Sequence, residues 1–182
     1  MCSSDLAAQA MFDAQEPPYA VGTFRAPRVS WDEETGRGDA YFTWVYGAQV
    51  AELEVEARTG EVRLLHAWAA HDVGRAVNPP ALRGQFYGGM AMGIGYALVE
   101  ELPSADGVLG AENFDRYPIP RAKDLPEMTA IVIESADPLS PSGAKGIGEP
   151  TNELMAPAIA NALARATGRR FTGLPMRPGG AR

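Results

Sequence analysis

The clearest pattern of apolar and polar positions lies in the first half of the chain. Residues 41–55 are rich in aromatic and β-branched side chains, and their second half alternates between apolar residues and glutamates. Such alternation is typical of a β-strand with one face in solvent. A turn signal at 58–61 follows, and residues 62–70 resume the strand pattern. The pattern therefore predicts a long β-hairpin. Its solvated face carries Glu52, Glu54 and Glu56.

A glycine-rich helix is predicted after the hairpin. Residues 81–101 have helical character, with Asn78 as the N-cap and Pro79 at the first helical position. The segment holds five glycines, and each costs about 1 kcal/mol relative to alanine inside a helix. A helix that accepts them needs a close neighbour on that face. The neighbour is either another backbone element or a bulky cofactor near Gln85, and the pattern leaves both open.

Shorter elements complete an α+β fold. Residues 128–134 predict a strand, 151–167 a C-terminal helix that stops at Gly168, and 170–174 a final short strand. At 182 residues the chain is long enough for one domain with a real core. Residues 1–16 lack useful periodicity, and we interpret them as a disordered or extraneous segment before a domain at 17–182.

Composition excludes several classes of function. A net charge of -7 and a pI near 4.9 argue against nucleic-acid binding, which needs a surplus of Lys and Arg. One cysteine allows no internal disulfide, and two histidines make a protein-built zinc site improbable. The apolar tract at 90–99 is shorter than the roughly 20 residues that span a bilayer. With no recognisable signal peptide, we expect a cytoplasmic location without membrane contact.

The stretch at 142–153 concentrates candidate chemistry. Three glycines surround Lys145, and Glu149 follows immediately before Pro150. The proline favours an extended Glu149 and can open a helix, so Glu149 is predicted at a loop-to-helix junction. There the helix dipole favours negative charge. An ordinary helix N-terminal acid, stabilising by about 0.3–1 kcal/mol, is the plainer interpretation. Lys145 either offsets charge near a site or is a solvated loop lysine, and we favour the second.

Four motifs occur in a recognisable order. They are His-Asp-Val-Gly-Arg-Ala-Val-Asn-Pro at 71–79, Gly-Gln-Phe-Tyr-Gly-Gly-Met-Ala-Met-Gly-Ile-Gly at 84–95, Tyr-Pro-Ile-Pro at 117–120 and Gly-Ala-Lys-Gly-Ile-Gly-Glu-Pro at 143–150. Together they resemble the C-terminal, molybdopterin-binding part of the large subunit of molybdenum hydroxylases, the xanthine dehydrogenase and aldehyde oxidase family. The resemblance extends over residues 17–177, and each motif alone would be weak.

The resemblance implies a molybdenum–molybdopterin cofactor, which bacterial members often carry in the cytosine dinucleotide form. The metal is then held by the pterin dithiolene and not by protein cysteines. Glu149 would be the general base that takes a proton from a molybdenum-bound hydroxyl, and the substrate would be an aldehyde or N-heterocycle with water as the oxygen source. Gln85 resembles a residue that hydrogen-bonds the pterin. The predicted cofactor-binding set is completed by Gly84, Lys145, Gly146, Ile147 and Gly148.

The resemblance also implies partners. Family large subunits are several times longer, so we expect an N-terminal half of the large subunit, together with iron–sulfur and FAD subunits or domains. The chain is then a truncation or a separately encoded piece, inactive alone. Two alternatives are a non-catalytic cofactor-binding or assembly module and an unrelated α+β structural domain. Phe86-Tyr87 and residues 151–153 depart from the pattern of many relatives, which leaves the substrate class open.

Overall fold

The computed structural model describes residues 3–17, 19 and 21–179. The predicted hairpin forms most of its three-stranded sheet. Short 3₁₀ turns lie at Ala122–Asp124 and Pro141–Gly143. The helices and strands are, in chain order, α1 (Ser3–Asp13), β1 (Ser30–Asp32), β2 (Arg37–Asp39), β3 (Gly47–Val55), β4 (Val62–Asp72), α2 (Pro79–Leu98), β5 (Ser104–Ala105), β6 (Val108–Leu109), β7 (Glu127–Ile133), α3 (Pro150–Glu153) and α4 (Met155–Thr167).

The central sheet has the order β3-β4-β7. β3 pairs with β4 in antiparallel fashion, which confirms the hairpin, and β7 joins β4 in parallel. Strand β3 begins at Gly47, so the prediction of a strand from residue 41 is wrong for 41–46. The reason lies in the register. Gly47 pairs with His71, and β4 ends one residue later, at Asp72. Residues 41–46 therefore have almost no part of β4 left as a partner.

One face of the sheet carries the core. The helices α2 and α4 pack there, and the largest fully buried apolar side chains are Phe86, Met90, Met155, Ile159 and Leu163. The opposite face is not covered by a described element. Glu52, Glu54 and Glu56 are exposed, as predicted. The mixed helix and sheet content confirms the α+β fold class.

The glycine-rich helix α2 begins as predicted, and its glycines differ in their surroundings. Asn78 Oδ1 accepts a hydrogen bond from the Ala81 N–H at 3.1 Å, which confirms the N-cap. A Cβ on Gly89 would lie 2.1 Å from Thr151 Oγ1, and one on Gly93 would lie 2.5 Å from Met155 Cβ. At these two positions the close neighbour is therefore another backbone element. A Cβ on Gly84 or Gly88 would meet nothing within 4 Å.

The C-terminal helix is broken into two pieces. We predicted one helix over 151–167, but α3 ends at Glu153 and α4 starts at Met155. Pro157 explains the break, because proline has no N–H and its ring clashes with the carbonyl four residues earlier. Gly168 ends the helix in the left-handed conformation, with φ of 70° and its N–H bonded to Ala164 O, as predicted.

The predicted strand at 170–174 is wrong. In the structure this segment is irregular and leads to Met176, whose N–H donates to Ala97 O at 2.7 Å. Phe171 and Met176 pack against the core instead of pairing with a strand. At the other end, α1 has mostly exposed side chains, and the assignment of residues 1–16 as a disordered or extraneous segment stays a prediction. Cys2 and the last three residues of the predicted domain, 180–182, lie outside the described residues.

Among the described residues, no helix combines the length and the apolar character needed to cross a membrane.

Candidate cofactor-binding site

The loop at 143–149 lies against the end of β4, so that the first and last of the four motifs are neighbours. The Lys145 N–H donates to Val73 O at 2.9 Å, and the Arg75 N–H donates to Gly143 O at 2.8 Å. Between them, Gly74 and Ala144 form an isolated antiparallel bridge. Gly74 has φ of 62°, and a Cβ there would lie 2.3 Å from Gly143 O. Close approach of the two backbones therefore requires glycine at this position.

A buried ion pair joins the same two segments. Lys145 Nζ donates to Asp72 Oδ2 at 2.6 Å, and the two side chains are 9% and 10% exposed. Asp72 Oδ1 also accepts from the N–H groups of Gly74 and Ser135. Burial alone would raise the pKa of Asp72, but the hydrogen bonds and the charge of Lys145 hold it below its ordinary value. The favoured interpretation of Lys145 as a solvated loop residue is therefore wrong.

Three of the predicted cofactor-binding residues line one cleft. Gln85 on the first turns of α2 and Lys145 and Ile147 on the loop enclose a volume of about 230 Å³, together with neighbouring residues that include Val73 and Leu82. Gly84, Gly146, Gly148 and Glu149 are not part of its lining. Gly84, Gly146 and Gly148 are exposed, and a Cβ on any of them would meet nothing within 4 Å. The backbone at each of these three glycines is thus accessible.

Glu149 is exposed at the start of α3, two residues after Ile147. Its φ of -86° and ψ of -41° are helical, so the predicted extended conformation is wrong. The Asn152 N–H donates to Glu149 O at 3.0 Å, and this turn bond offsets the preference that Pro150 imposes on the preceding residue. The Glu149 side chain makes no capping hydrogen bond to the helix. Its carboxylate is therefore open to other partners.

A second set of contacts fixes the chain just after Glu149. Thr151 is fully buried against Gly89. Gln49 Nε2 donates to Thr151 O at 2.6 Å and lies 3.0 Å from His71 Nε2. Tyr96 Oη donates to Asn152 O at 2.7 Å. These anchors were not predicted from the sequence, because no local pattern distinguishes Gln49 or Tyr96 from other residues of a strand or a helix.

His71 belongs to β4, and its side chain is fully buried on the core face of the sheet, in a T-shaped contact with the Phe86 ring. Burial lowers its pKa. The contact with the Gln49 amide makes Nε2 an acceptor, so the proton lies on Nδ1. His71 Nδ1 and Gln49 Oε1 are buried without a hydrogen-bond partner among the residues described. Within the described ranges, no group of three or more His, Cys, Asp or Glu side chains could hold a metal ion.

The comparisons with known proteins agree on one family. The model of the molybdopterin cofactor-binding domain matches residues 2–126. A probable xanthine dehydrogenase subunit from Bacillus subtilis (strain 168) is 40% identical over 136 residues, which is 75% of this chain and 18% of that protein. The chain thus spans less than a fifth of the length of that curated relative.

Solved structures show the same fold. The aldehyde oxidoreductase from Desulfovibrio gigas superposes with a TM-score of 0.77 and 30% identity, over 90% of this chain and 18% of that one. The quinoline 2-oxidoreductase from Pseudomonas putida 86 gives a TM-score of 0.64 and 33% identity, over 67% of this chain and 16% of that one. The D. gigas match extends well beyond residue 126, where the family model stops. The chain belongs to the molybdopterin cofactor-binding domain family and corresponds to the molybdenum-cofactor-binding part of the xanthine dehydrogenase and aldehyde oxidase group of molybdenum hydroxylases.

Proposed function

We propose that the chain is the C-terminal portion of a molybdenum hydroxylase that oxidises an aldehyde or N-heterocycle, with water as the oxygen source and Glu149 as general base. One observation carries the proposal. An exposed carboxylate without a capping bond follows directly on a loop whose Lys145 and Ile147 share a cleft with Gln85. The activity is a proposal for the whole protein, since the chain covers only 18% of its B. subtilis relative.

The residues at the cleft fit a molybdenum–molybdopterin cofactor, with the cytosine dinucleotide form as one option. The Gln85 amide offers both donors and an acceptor at an exposed position, which suits the polar edge of a pterin. Gly84, Gly146 and Gly148 leave room for a flat ring system to approach the backbone. The molybdenum centre, when bound, supplies the two-electron oxidation of the substrate. Lys145 is paired with Asp72, so it forms part of the cleft wall and does not provide a free positive charge.

The part assigned to Glu149 is proton removal. A general base acts from within hydrogen-bond reach, about 2.6–3.2 Å, of the proton it removes. The helical backbone at Glu149 and the missing cap bond leave the side chain available for such a contact. The anchors at Lys145 and at Thr151 hold the chain on either side of it. The carboxylate is thereby presented from a fixed backbone and not from a free loop.

The proposed partners are the N-terminal half of the large subunit and iron–sulfur and FAD subunits or domains. The open face of the sheet supports the first of these. Val50, Ile131 and Ile133 on that face are 57%, 45% and 48% exposed, and further large apolar side chains before β3 are also exposed, among them Trp44 and Tyr46. Apolar patches of this kind mark interaction sites. A cytoplasmic location remains a part of this proposal.

The test of Glu149 uses the complete protein that carries this chain. Glu149→Gln keeps the size of the side chain and removes the base, so we expect unchanged molybdenum content and a turnover lower by about 10²–10⁴-fold. Glu153→Gln is the matched control, since Glu153 is an exposed carboxylate on the same short helix, and it should leave turnover unchanged. Retained turnover in Glu149→Gln at equal molybdenum content would contradict the proposal.

A non-catalytic cofactor-binding or assembly module is the second candidate. The open cleft and the uncovered sheet face favour it for the isolated chain, because the described residues do not enclose a ligand as large as a pterin dinucleotide. The test is purification of the chain from its natural source. Molybdenum and a second polypeptide that co-purify with turnover support the enzyme, whereas cofactor without turnover supports the module.

A further inference from the structure

We propose that Asp72 is a positioning residue, and that its ion pair with Lys145 sets the place of the loop that carries Glu149. The proposal rests on the proposed function for its catalytic consequence. Its structural content, a latch between the end of β4 and the loop, can be tested separately. The latch is defined as the Asp72–Lys145 pair together with the backbone bonds at Val73, Arg75 and Gly143.

The Asp72 side chain connects three segments of the chain. Its Oδ2 accepts from Lys145 Nζ at 2.6 Å, while its Oδ1 accepts from the Gly74 N–H at 2.9 Å and from the Ser135 N–H at 3.2 Å. One carboxylate thereby joins the end of β4, the segment after β7 and the candidate loop. Lys145 stands four positions before Glu149 in the sequence. Any shift of the lysine is transmitted to the base through a short stretch of backbone.

Between these two residues, Ile147 packs against the core, and the glycines on either side of it make few contacts. Gly146 and Gly148 are exposed, and no heavy atom outside the adjacent residues lies within 4 Å of where a Cβ would stand on either. Downstream, Thr151 and Asn152 are fixed by Gln49 and Tyr96. The path of residues 146–149 is consequently set by its two ends and by the contact of Ile147 with the core. Of these ends, only the upstream one depends on a buried charge pair.

A buried pair of this kind is not a plausible source of net stability by itself. Desolvation of two charges offsets their attraction, and replacing both partners by neutral groups is often neutral or stabilising. An exposed pair such as Arg177–Glu101, 57% and 50% exposed, contributes little either way. The Asp72–Lys145 pair is better explained by the geometry it imposes on the loop than by its contribution to unfolding free energy.

The experiment compares Asp72→Asn, Lys145→Met and the double variant in the complete protein, with Glu101→Gln as the exposed-pair control. Three quantities are measured: the melting temperature, hydrogen exchange of the Arg75 and Lys145 amides, and turnover at equal molybdenum content. Both amides are hydrogen-bonded across the latch, so their exchange reports its opening. Exchange of α4 amides reports opening of the core.

Each single variant should lower the melting temperature, because it leaves one buried charge unpaired. The double variant should recover the melting temperature but keep exchange at the latch about tenfold or more above wild type and turnover reduced by up to about 100-fold. Glu101→Gln should match wild type in all three. A merely structural role predicts that the double variant recovers latch protection and turnover along with stability, and that result would overturn the proposal.

Failure of the proposed function of Glu149 can be distinguished from failure of the positioning role of Asp72. If Glu149→Gln retains turnover, the catalytic assignment falls, and latch exchange in the double variant still decides whether the pair positions the loop. If Glu149→Gln loses turnover while the double variant keeps wild-type exchange, the positioning role alone is refuted.

Discussion

Two adjacent glycines of α2, Gly88 and Gly89, are expected to respond in opposite directions to the same substitution. A Cβ on Gly89 would lie 2.1 Å from Thr151 Oγ1, 2.6 Å from Thr151 Cβ and 2.7 Å from the Thr151 carbonyl carbon. A Cβ on Gly88 would meet nothing within 4 Å. Both positions lie inside the same helix, so their intrinsic helix propensities are equal.

The magnitudes follow from these contacts. Alanine in place of glycine gains about 1 kcal/mol inside a helix, and at Gly88 nothing opposes this gain. At Gly89, overpacking of a well-packed contact costs about 1–3 kcal/mol. Two of the three clashing atoms are the Thr151 backbone and Cβ, which cannot rotate away, so the cost falls in the upper part of that range. The net expectation is a loss of about 1–2 kcal/mol for Gly89→Ala and a gain of up to about 1 kcal/mol for Gly88→Ala.

Urea unfolding of the 182-residue chain, followed by far-UV circular dichroism, measures both changes. In thermal melts, 1 kcal/mol corresponds to about 2–4 °C for a domain of this size. Equal stability of Gly89→Ala and Gly88→Ala would refute a steric requirement for glycine at position 89. That result would mean that α3 yields to a new methyl group at no cost, and that the glycine does not serve the helix contact.

Two further predictions concern the buried His71. Gly47→Ala should destabilise the chain by about 1–3 kcal/mol, because its Cβ would lie 2.2 Å from His71 Nδ1; an unchanged melting temperature would show that the ring can move aside. Burial lowers the pKa of His71 from its ordinary value of 6.5, so the unfolded chain takes up the proton more readily than the folded chain. The contribution of the neutral ring to stability is therefore fully present above pH 6.5 and is lost as the pH falls below that value toward the lower folded pKa. His71→Gln should show a shallower fall in unfolding free energy between pH 7 and pH 5 than wild type, and equal slopes would exclude His71 as the cause.

The order of the main elements was determined by local signals in the sequence. The alternation after Gly47 predicts the hairpin, Asn78 followed by two prolines predicts the start of α2, and Gly168 predicts the end of α4. Each of these signals acts within a few residues, through hydrogen bonds or dihedral preferences that need no distant partner. Pro157 carries a signal of the same local kind, and its position accounts for the break that the single-helix prediction overlooked.

The candidate site depends more on contacts between distant segments. The motifs of the sequence single out Gln85, Lys145 and Glu149, but the partner of Lys145 is Asp72, 73 positions earlier, and no local pattern links them. The conformation of Glu149 was likewise decided by a turn bond that overrode the preference imposed by Pro150.

The glycines of α2 show which structural properties the sequence leaves undecided. Composition reveals that the helix needs a close neighbour, because each glycine has a cost in helix propensity that something must offset. Only the packed structure decides that Gly89 and Gly93 face α3 and α4, whereas Gly84 and Gly88 face open space. The sequence by itself thus determined the β3–β4 hairpin, the start of α2, the end of α4, the four motifs and the candidate residues for chemistry. The tertiary structure alone decided which of them are paired, buried or accessible, because those properties depend on distances between segments that local preferences do not encode.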